Sequence, residues 1–166
     1  MNVILRSAAV ITLICFMPWT WVNAAQSPEQ FDRTNFYTTI AGSNADDINE
    51  LLIVLKESSL PEKEAYEGAL LMKKAGLLSK AKEKLRVFKL GRGKLEAAIQ
   101  KEPKNIEYHF LRLLIQENVP KVVKYKTNIK DDSTLILASF KDLPLFLQRA
   151  IRDYSKKSKI LNPSDF

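Results

Sequence analysis

The chain has 166 residues, of which 46% are hydrophobic, enough for the core of one compact domain. This length argues against two large domains. The formal net charge of +7 favours anionic partners such as phospholipid headgroups, acidic polymers or nucleic acid.

The first 24 residues are typical of a cleavable secretory signal peptide. Arg6 supplies a positive charge, residues 8–16 are apolar, and Val22, Asn23 and Ala24 form a small-residue cleavage site. The apolar stretch of about ten residues is shorter than the roughly 20 that a transmembrane helix needs. We therefore predict cleavage after Ala24, no transmembrane segment in the mature chain, and a periplasmic or secreted location.

The chain has one cysteine and one histidine, which restricts its possible chemistry. Cys15 lies inside the predicted signal peptide, so thiol catalysis, disulfides and cysteine metal sites are excluded for the mature chain. We interpret His109 as a structural residue and not a general base, because no Ser or Cys nucleophile motif accompanies it. No cofactor, metal site or catalytic residue is predicted, and a non-enzymatic role is favoured over an enzyme.

Residues 25–44 are rich in Ser, Thr, Asn and Gln, and we interpret them as a polar N-terminal arm. Phe36 and Ile40 have a helix-like spacing that would tie the arm to the core, and a flexible leader is the alternative. Residues 45–166 are predicted to form a single helical domain.

Helical periodicity begins at residue 45. The first apolar stripe consists of Ile48, Leu51, Leu52 and Leu55. Pro61 and the acidic residues after it indicate the start of a second helix, which ends near Ala75. Gly76 is predicted to be its left-handed C-terminal cap.

A third helix is predicted to begin after a capping Ser79 and to end before Pro103. Its buried stripe is expected to be Leu85, Phe88, Leu95 and Ile99. Gly91 and Gly93 weaken its middle, because a glycine costs about 1 kcal/mol relative to alanine inside a helix. They indicate either a kink or the close approach of a neighbouring helix.

The last part of the domain contains three more predicted helices. Asn105 caps the fourth, which is apolar over more than half its circumference and is expected to be central. A connector with a short turn after Pro120 leads to the fifth, which begins near Asp131, and Pro144 starts or kinks the sixth. The expected buried positions of these two are Ile136, Phe140, Leu143, Leu147, Ile151 and Tyr154.

With no convincing strand, the predicted fold class is all-α. Short connections favour antiparallel neighbours, and we expect about five to six antiparallel helices, in either a TPR-like array or an orthogonal bundle.

Two resemblances accompany this pattern. Residues 95–105, LEAAIQKEPKN, resemble one joint between tetratricopeptide repeats, which implies TPR-like helix pairing without a repeat array. Residues 66–75, YEGALLMKKA, and 107–120, EYHFLRLLIQENVP, resemble a family of short exported helical proteins from Bacteroidetes-type bacteria. The second resemblance covers about residues 65–161 and implies an exported helical domain, but no activity or ligand.

Positive charge is concentrated in residues 73–94, where nine Lys and Arg residues accompany one acid, Glu83. The candidate binding residues in this segment are Lys82, Arg86, Lys89 and Arg92. The first three lie at i, i+4 and i+7, which predicts a basic stripe for a membrane surface or a polyanion, or a merely solvated face. Nucleic acid is disfavoured because the segment lacks aromatic stacking platforms.

Arg112 and Gln116 complete the candidate binding residues, as an i, i+4 pair on the predicted central helix. The alternative for Arg112 is a buried structural tie to a carboxylate such as Glu64 or Glu67.

The leading hypothesis from sequence is a non-enzymatic exported module that presents a groove or a basic face to another protein or to an anionic envelope component. Two alternatives stay open. One is an enzyme or enzyme accessory acting on an envelope polymer, and the other is peripheral binding to an anionic membrane through the basic helix. The sequence does not indicate an oligomeric state.

Overall fold

A computed structural model describes residues 31–166, and in this range the chain forms seven α-helices and no strand. The helices are α1 (Arg33–Ala41), α2 (Ala45–Glu57), α3 (Lys63–Leu77), α4 (Ala81–Lys101), α5 (Ile106–Asn118), α6 (Ile129–Ser139) and α7 (Leu145–Ser155). Three short 3-10 helices are η1 (Lys121–Val123), η2 (Phe140–Asp142) and η3 (Pro163–Asp165). The all-α prediction is confirmed, whereas the predicted signal peptide and its cleavage site lie outside the described residues.

Helix α1 lies within the segment that we interpreted as a polar arm. Asp32 caps it, since its side chain accepts a hydrogen bond of 2.7 Å from the Thr34 amide. Phe36 and Ile40, at i and i+4, are buried in the common core. Helix α1 is thus tied to the core through Phe36 and Ile40, as in the first of the two alternatives for this segment. The helical fold therefore begins before residue 45.

The ends of α3 and α4 differ from the sequence prediction. Helix α3 continues through Gly76 to Leu77, and no glycine among residues 31–166 has a positive φ, so Gly76 is not a left-handed cap. Ser79 is not a cap either, because α4 follows Lys80 without a side-chain capping bond. Extended backbone at Leu78 and Lys80 reverses the chain instead.

Helices α3 and α4 form a closely packed antiparallel hairpin. A Cβ built on Gly91 would lie 2.5 Å from the Gly68 carbonyl oxygen, and one built on Gly68 would lie 2.7 Å from the Gly91 carbonyl oxygen. The two backbones therefore touch here, which confirms the close-approach alternative for Gly91. A Cβ on Gly93 would meet nothing within 4 Å, and α4 runs through both glycines without interruption.

Helix α5 is the centre of the bundle, as expected. Every residue from Glu107 to Gln116 is buried, and α5 packs against α3, α4 and α6. The side chain of Asn105 accepts a bond of 3.2 Å from the Glu107 amide, so the predicted cap is confirmed. None of the described helices is both long and apolar enough to cross a membrane.

Most of the predicted core positions are buried, with one clear exception on α4. Phe88, Leu95 and Ile99 lie in the core, but Leu85 is 53% exposed. The reason is that the first half of α4 faces the small residues Ala75 and Gly76 of α3, which cannot cover a leucine. Leu85 therefore lies at the edge of an open groove.

Candidate binding groove

A groove of about 440 Å³ opens between the end of α3, the start of α4, the end of α5 and η1. Its floor is apolar and is formed by Met72, Ala75, Phe88 and Ile115, all of which are buried. The remaining lining residues are Lys73, Gly76, Leu77, Ala81, Lys84, Leu85, Asn118, Val119, Pro120 and Val123. This volume lies within the range of about 300–1,000 Å³ that is typical of ligand pockets.

The sequence leaves this space open for a simple reason. Ala75, Gly76 and Ala81 have little or no side chain at the point where α3 and α4 are joined by three residues. Farther along the hairpin, the backbones of α3 and α4 touch at Gly68 and Gly91. The groove therefore lies at the end of the hairpin where small residues leave space unfilled.

The far wall of the groove is held by hydrogen bonds at the end of α5. The Asn118 amide donates to the Leu114 carbonyl at 2.8 Å and to the Tyr154 hydroxyl at 2.9 Å. The Tyr154 hydroxyl donates to the Glu117 carboxylate at 2.8 Å, and Ser158 donates to the same carboxylate. These bonds connect α5 to α7 and to the residues after it, which fixes the position of Val119 and of η1.

Positive charge lines the groove without any acidic partner in it. Lys73 and Lys84 are the charged residues of the lining, and none of the described residues that line it is acidic. Lys73 is half-buried, and its pKa is lowered by burial and by the nearby Lys157 ammonium. The groove therefore combines an apolar floor with uncompensated positive charge at its edge.

The predicted basic stripe lies on the outer face of α4. Lys82, Arg86 and Lys89 are exposed, as is Arg92, and in the range 31–166 none of them forms an ion pair. The Arg92 guanidinium is 4.7 Å from the centre of the Tyr125 ring, a cation–π contact within the fold. The first three candidates therefore share one exposed face, while Arg92 turns towards Tyr125.

Arg112 is buried, but its partners differ from those we expected. Its Nε and Nη2 atoms donate to the two oxygens of Asp132 at 2.8 and 2.7 Å, and Nη1 donates to Glu96 at 2.9 Å. Glu64 and Glu67 instead accept the ammonium of Lys94, at 2.6 and 2.8 Å. Arg112 is therefore a buried structural tie, the second of its two predicted roles, and it connects α4, α5 and α6.

Gln116 is fully buried next to this network. Its Nε2 donates to Asn128 at 3.3 Å, and its Oε1 has no hydrogen-bond partner within residues 31–166. The side chain lies between α5 and the start of α6 and does not line the groove. Arg112 and Gln116 are therefore not exposed beside the basic stripe, but their partners Glu96 and Asn128 line a second pocket together with Lys89 and Arg92.

His109 is part of the same buried network. Its Nδ1 lies 2.7 Å from Asp132 Oδ1, and its Nε2 lies 2.9 Å from the Pro103 carbonyl oxygen. Both of these closest neighbours are acceptors, which favours a proton on each ring nitrogen, although the Arg112 Nη2 donor also lies 3.4 Å from Nδ1. The hydrogen bond with Asp132 is the main cause that raises the pKa of His109. This geometry agrees with a structural histidine, because neither nitrogen is left to act on a substrate.

Sequence reasoning missed a second buried cluster, around Glu107. Its Oε1 accepts hydroxyl hydrogen bonds from Tyr37 at 2.7 Å and from Tyr66 at 2.6 Å, and Arg33 donates to the Tyr66 hydroxyl at 2.9 Å. Burial raises the pKa of Glu107. The partners lie 41 and 70 residues from Glu107 in the chain, so no local spacing could have indicated them.

The described chain is thus an all-α protein with two buried polar networks and one apolar, basic-edged groove. Comparison of the chain with protein-family models, curated proteins and solved structures finds no match. The resemblance to short exported helical proteins therefore stays a prediction. Within the described part of the chain, no group of three or more metal-ligating side chains is placed to hold a metal ion.

Proposed function

We propose that the protein is a non-enzymatic binding module that holds a short apolar and acidic segment of a partner protein in its groove. The observation that carries this proposal is the combination of an apolar floor with lysines and no acid in the lining. An amphipathic helix binds such a groove by inserting its apolar face, and opposite charges at the rim select the partner. The predicted export signal would place this interaction in the periplasm or outside the cell.

Exposed apolar side chains at the groove edges support the proposal. Leu77 and Leu85 line the groove and are exposed, and Val122 in η1 is 84% exposed. Large exposed apolar patches mark interaction sites on soluble proteins, and Leu77 and Leu85 extend the apolar surface of the groove outward. A partner that filled the groove would also cover these side chains.

The enzyme alternative has less support. The perturbed carboxylates and imidazole, Glu107, Asp132 and His109, are buried and bonded to one another or to neighbouring side chains. None of the three lines the groove, where a substrate would bind. Perturbed carboxylates and imidazoles indicate catalysis only when they face a cleft.

A second candidate function is peripheral binding to an anionic membrane, and one observation favours it. Leu85 and Leu90 are exposed on α4 among the cations Lys82, Arg86 and Lys89. Exposed leucines between cations are typical of helices that lie on anionic bilayers. If this candidate function is correct, the protein should sediment with phosphatidylglycerol vesicles and not with phosphatidylcholine vesicles.

The groove proposal is tested by fluorescence anisotropy with three labelled helical peptides of about 16 residues, somewhat over four turns. All three carry the same leucine-rich apolar face, and their polar faces are acidic, neutral or basic. We expect saturable binding, tightest for the acidic peptide and weakest for the basic one. Equal binding of the acidic and basic peptides, or no binding, would contradict the proposal.

Two glycines provide matched variants for this experiment. A Cβ on Gly76 or on Gly93 would meet nothing within 4 Å, so both positions accept a large side chain, but only Gly76 lines the groove. Gly76→Trp is expected to fill the groove and abolish peptide binding, whereas Gly93→Trp should bind as the unmodified protein does. If both variants bind equally well, the peptide is not in the groove.

A further inference from the structure

Lys73 differs from Lys94, another partly buried lysine of the α3–α4 hairpin. The ammonium of Lys94 is neutralised by two carboxylates, Glu64 at 2.6 Å and Glu67 at 2.8 Å. Lys73 is half-buried in the groove wall, and no ion pair or hydrogen bond of its ammonium exists within residues 31–166. Partial burial of a charge without a partner is unfavourable, which makes Lys73 a site for an external anion.

The surroundings of Lys73 increase this deficit of negative charge. Lys157, directly beyond α7, is near enough to lower the pKa of Lys73 by repulsion, in addition to the larger effect of burial. Asn118, in the same wall, already donates its amide to Leu114 and to Tyr154. Glu117, which precedes Asn118 in the chain, accepts bonds from Tyr154, from Ser158 and from the amide of Lys159.

We infer that Lys73 binds a carboxylate of the partner segment at the edge of the groove. This inference rests on the proposed function and adds the chemical group and its position. A carboxylate beside the half-buried Lys73 forms a charge-assisted hydrogen bond with its ammonium, which has no ion-pair partner within residues 31–166. The partner therefore carries an Asp or Glu side chain directly beside the apolar side chains that fill the groove.

Lys84 provides the matched control, because it also lines the groove but is exposed. An exposed ammonium keeps its hydration and gains little from one ion pair. The inference therefore assigns the preference for acid to Lys73 and not to basic charge in general.

The test measures the affinities of the acidic and neutral peptides for Lys73→Met and Lys84→Met by the same anisotropy assay. Methionine keeps the length and apolar character of the lysine stem. For the unmodified protein we expect the acidic peptide to bind about tenfold tighter than the neutral one, a difference of about 1.4 kcal/mol. In Lys73→Met this ratio should fall below about twofold while the neutral peptide binds as before; in Lys84→Met the tenfold ratio should remain.

Each other outcome overturns the inference in a recognisable way. If the ratio of acidic to neutral peptide affinity falls equally in both variants, the positive charge acts diffusely. If the ratio is unchanged in Lys73→Met, the carboxylate binds elsewhere. In both cases the groove proposal survives. Failure of all three peptides to bind would overturn the proposed function together with the inference. Circular dichroism of both variants checks that the helical fold is retained.

Discussion

The two halves of the α3–α4 hairpin use the same residue type for opposite purposes. In the closed half, Gly68 and Gly91 let two backbones meet, so that any Cβ there would overlap a carbonyl oxygen. In the open half, Gly76 faces no atom within 4 Å of a built Cβ and leaves part of a groove unfilled. The comparison shows that the structural effect of a helical glycine depends on what lies opposite it.

The two halves also differ in how α5 supports them. Arg112 of α5 connects the closed half to α6, since it bonds Glu96 of α4 and Asp132 of α6. The open half is bordered by Asn118 and Glu117, whose partners lie on and after α7. A buried ion pair between Arg112 and Asp132 supports the closed half, whereas partly buried hydrogen bonds of Asn118 and of the Glu117 carboxylate shape the wall of the groove.

The largest effect is expected from Asp132→Ala, which removes the support of the closed half. Asp132 is fully buried, and its loss leaves the Arg112 and His109 side chains without their shared acceptor. Breaking a buried ion pair in this way costs about 3–5 kcal/mol of unfolding free energy. Urea denaturation monitored by circular dichroism measures it.

The control for Asp132→Ala is Asp153→Ala, which removes the exposed ion pair with Lys156. Exposed pairs contribute little, so a change under about 0.5 kcal/mol is expected. Similar losses in the two variants would show that the Arg112 network is not a main support of the hairpin.

Gly91→Ala breaks the closed half itself. The new Cβ would lie 2.5 Å from the Gly68 carbonyl oxygen and 2.9 Å from the Met72 amide nitrogen, and backbone atoms cannot move away cheaply. Overpacking of this kind lowers the free energy of unfolding by about 1–3 kcal/mol. Helix propensity alone predicts the opposite, an increase in the free energy of unfolding of up to about 1 kcal/mol.

Gly76→Ala is the matched variant in the open half, where only propensity acts. We expect a gain of about 0.5–1 kcal/mol in the free energy of unfolding. The sign of the change, measured by urea denaturation, therefore distinguishes the two halves. A gain at both positions would mean that the hairpin is not closed at Gly68 and Gly91.

The sequence predicted much of the fold because helical periodicity and caps are local signals. The stripes of α2 and α7 and the Asn105 cap follow from spacing, and Gly91 was recognised as a point of close approach or a kink. The prediction that Leu85 is buried was wrong, because its burial depends on Ala75 and Gly76 of another helix, and periodicity within α4 carries no information about them. The same limit explains the incorrect left-handed cap at Gly76.

The candidate site was less predictable than the fold. The basic segment 73–94 was visible in the composition, but its members have different environments: Lys94 is paired, Lys73 is half-buried without an ion-pair partner among residues 31–166, and Lys82 is exposed. The Arg112 partner was predicted as Glu64 or Glu67, yet Asp132 reaches it from α6 across a connector. Tertiary contacts decide both cases.

The smallest predicted effect is a pH dependence that belongs to the closed half. The hydrogen bond with Asp132 raises the pKa of His109 above 6.5, so its contribution to stability is complete below pH 6.5 and is lost as pH rises through the raised value. Burial opposes ionisation of Asp132, but its bonds with Arg112 and His109 lower its pKa below 3.8, so its contribution is lost as pH falls through that lower value. Both contributions are present between pH 3.8 and 6.5.

The measurement compares the unfolding free energies of the native chain and of His109→Gln at several pH values. The native chain's advantage over the variant should decline above pH 6.5. An advantage that rose with pH would show that the folded protein holds His109 neutral.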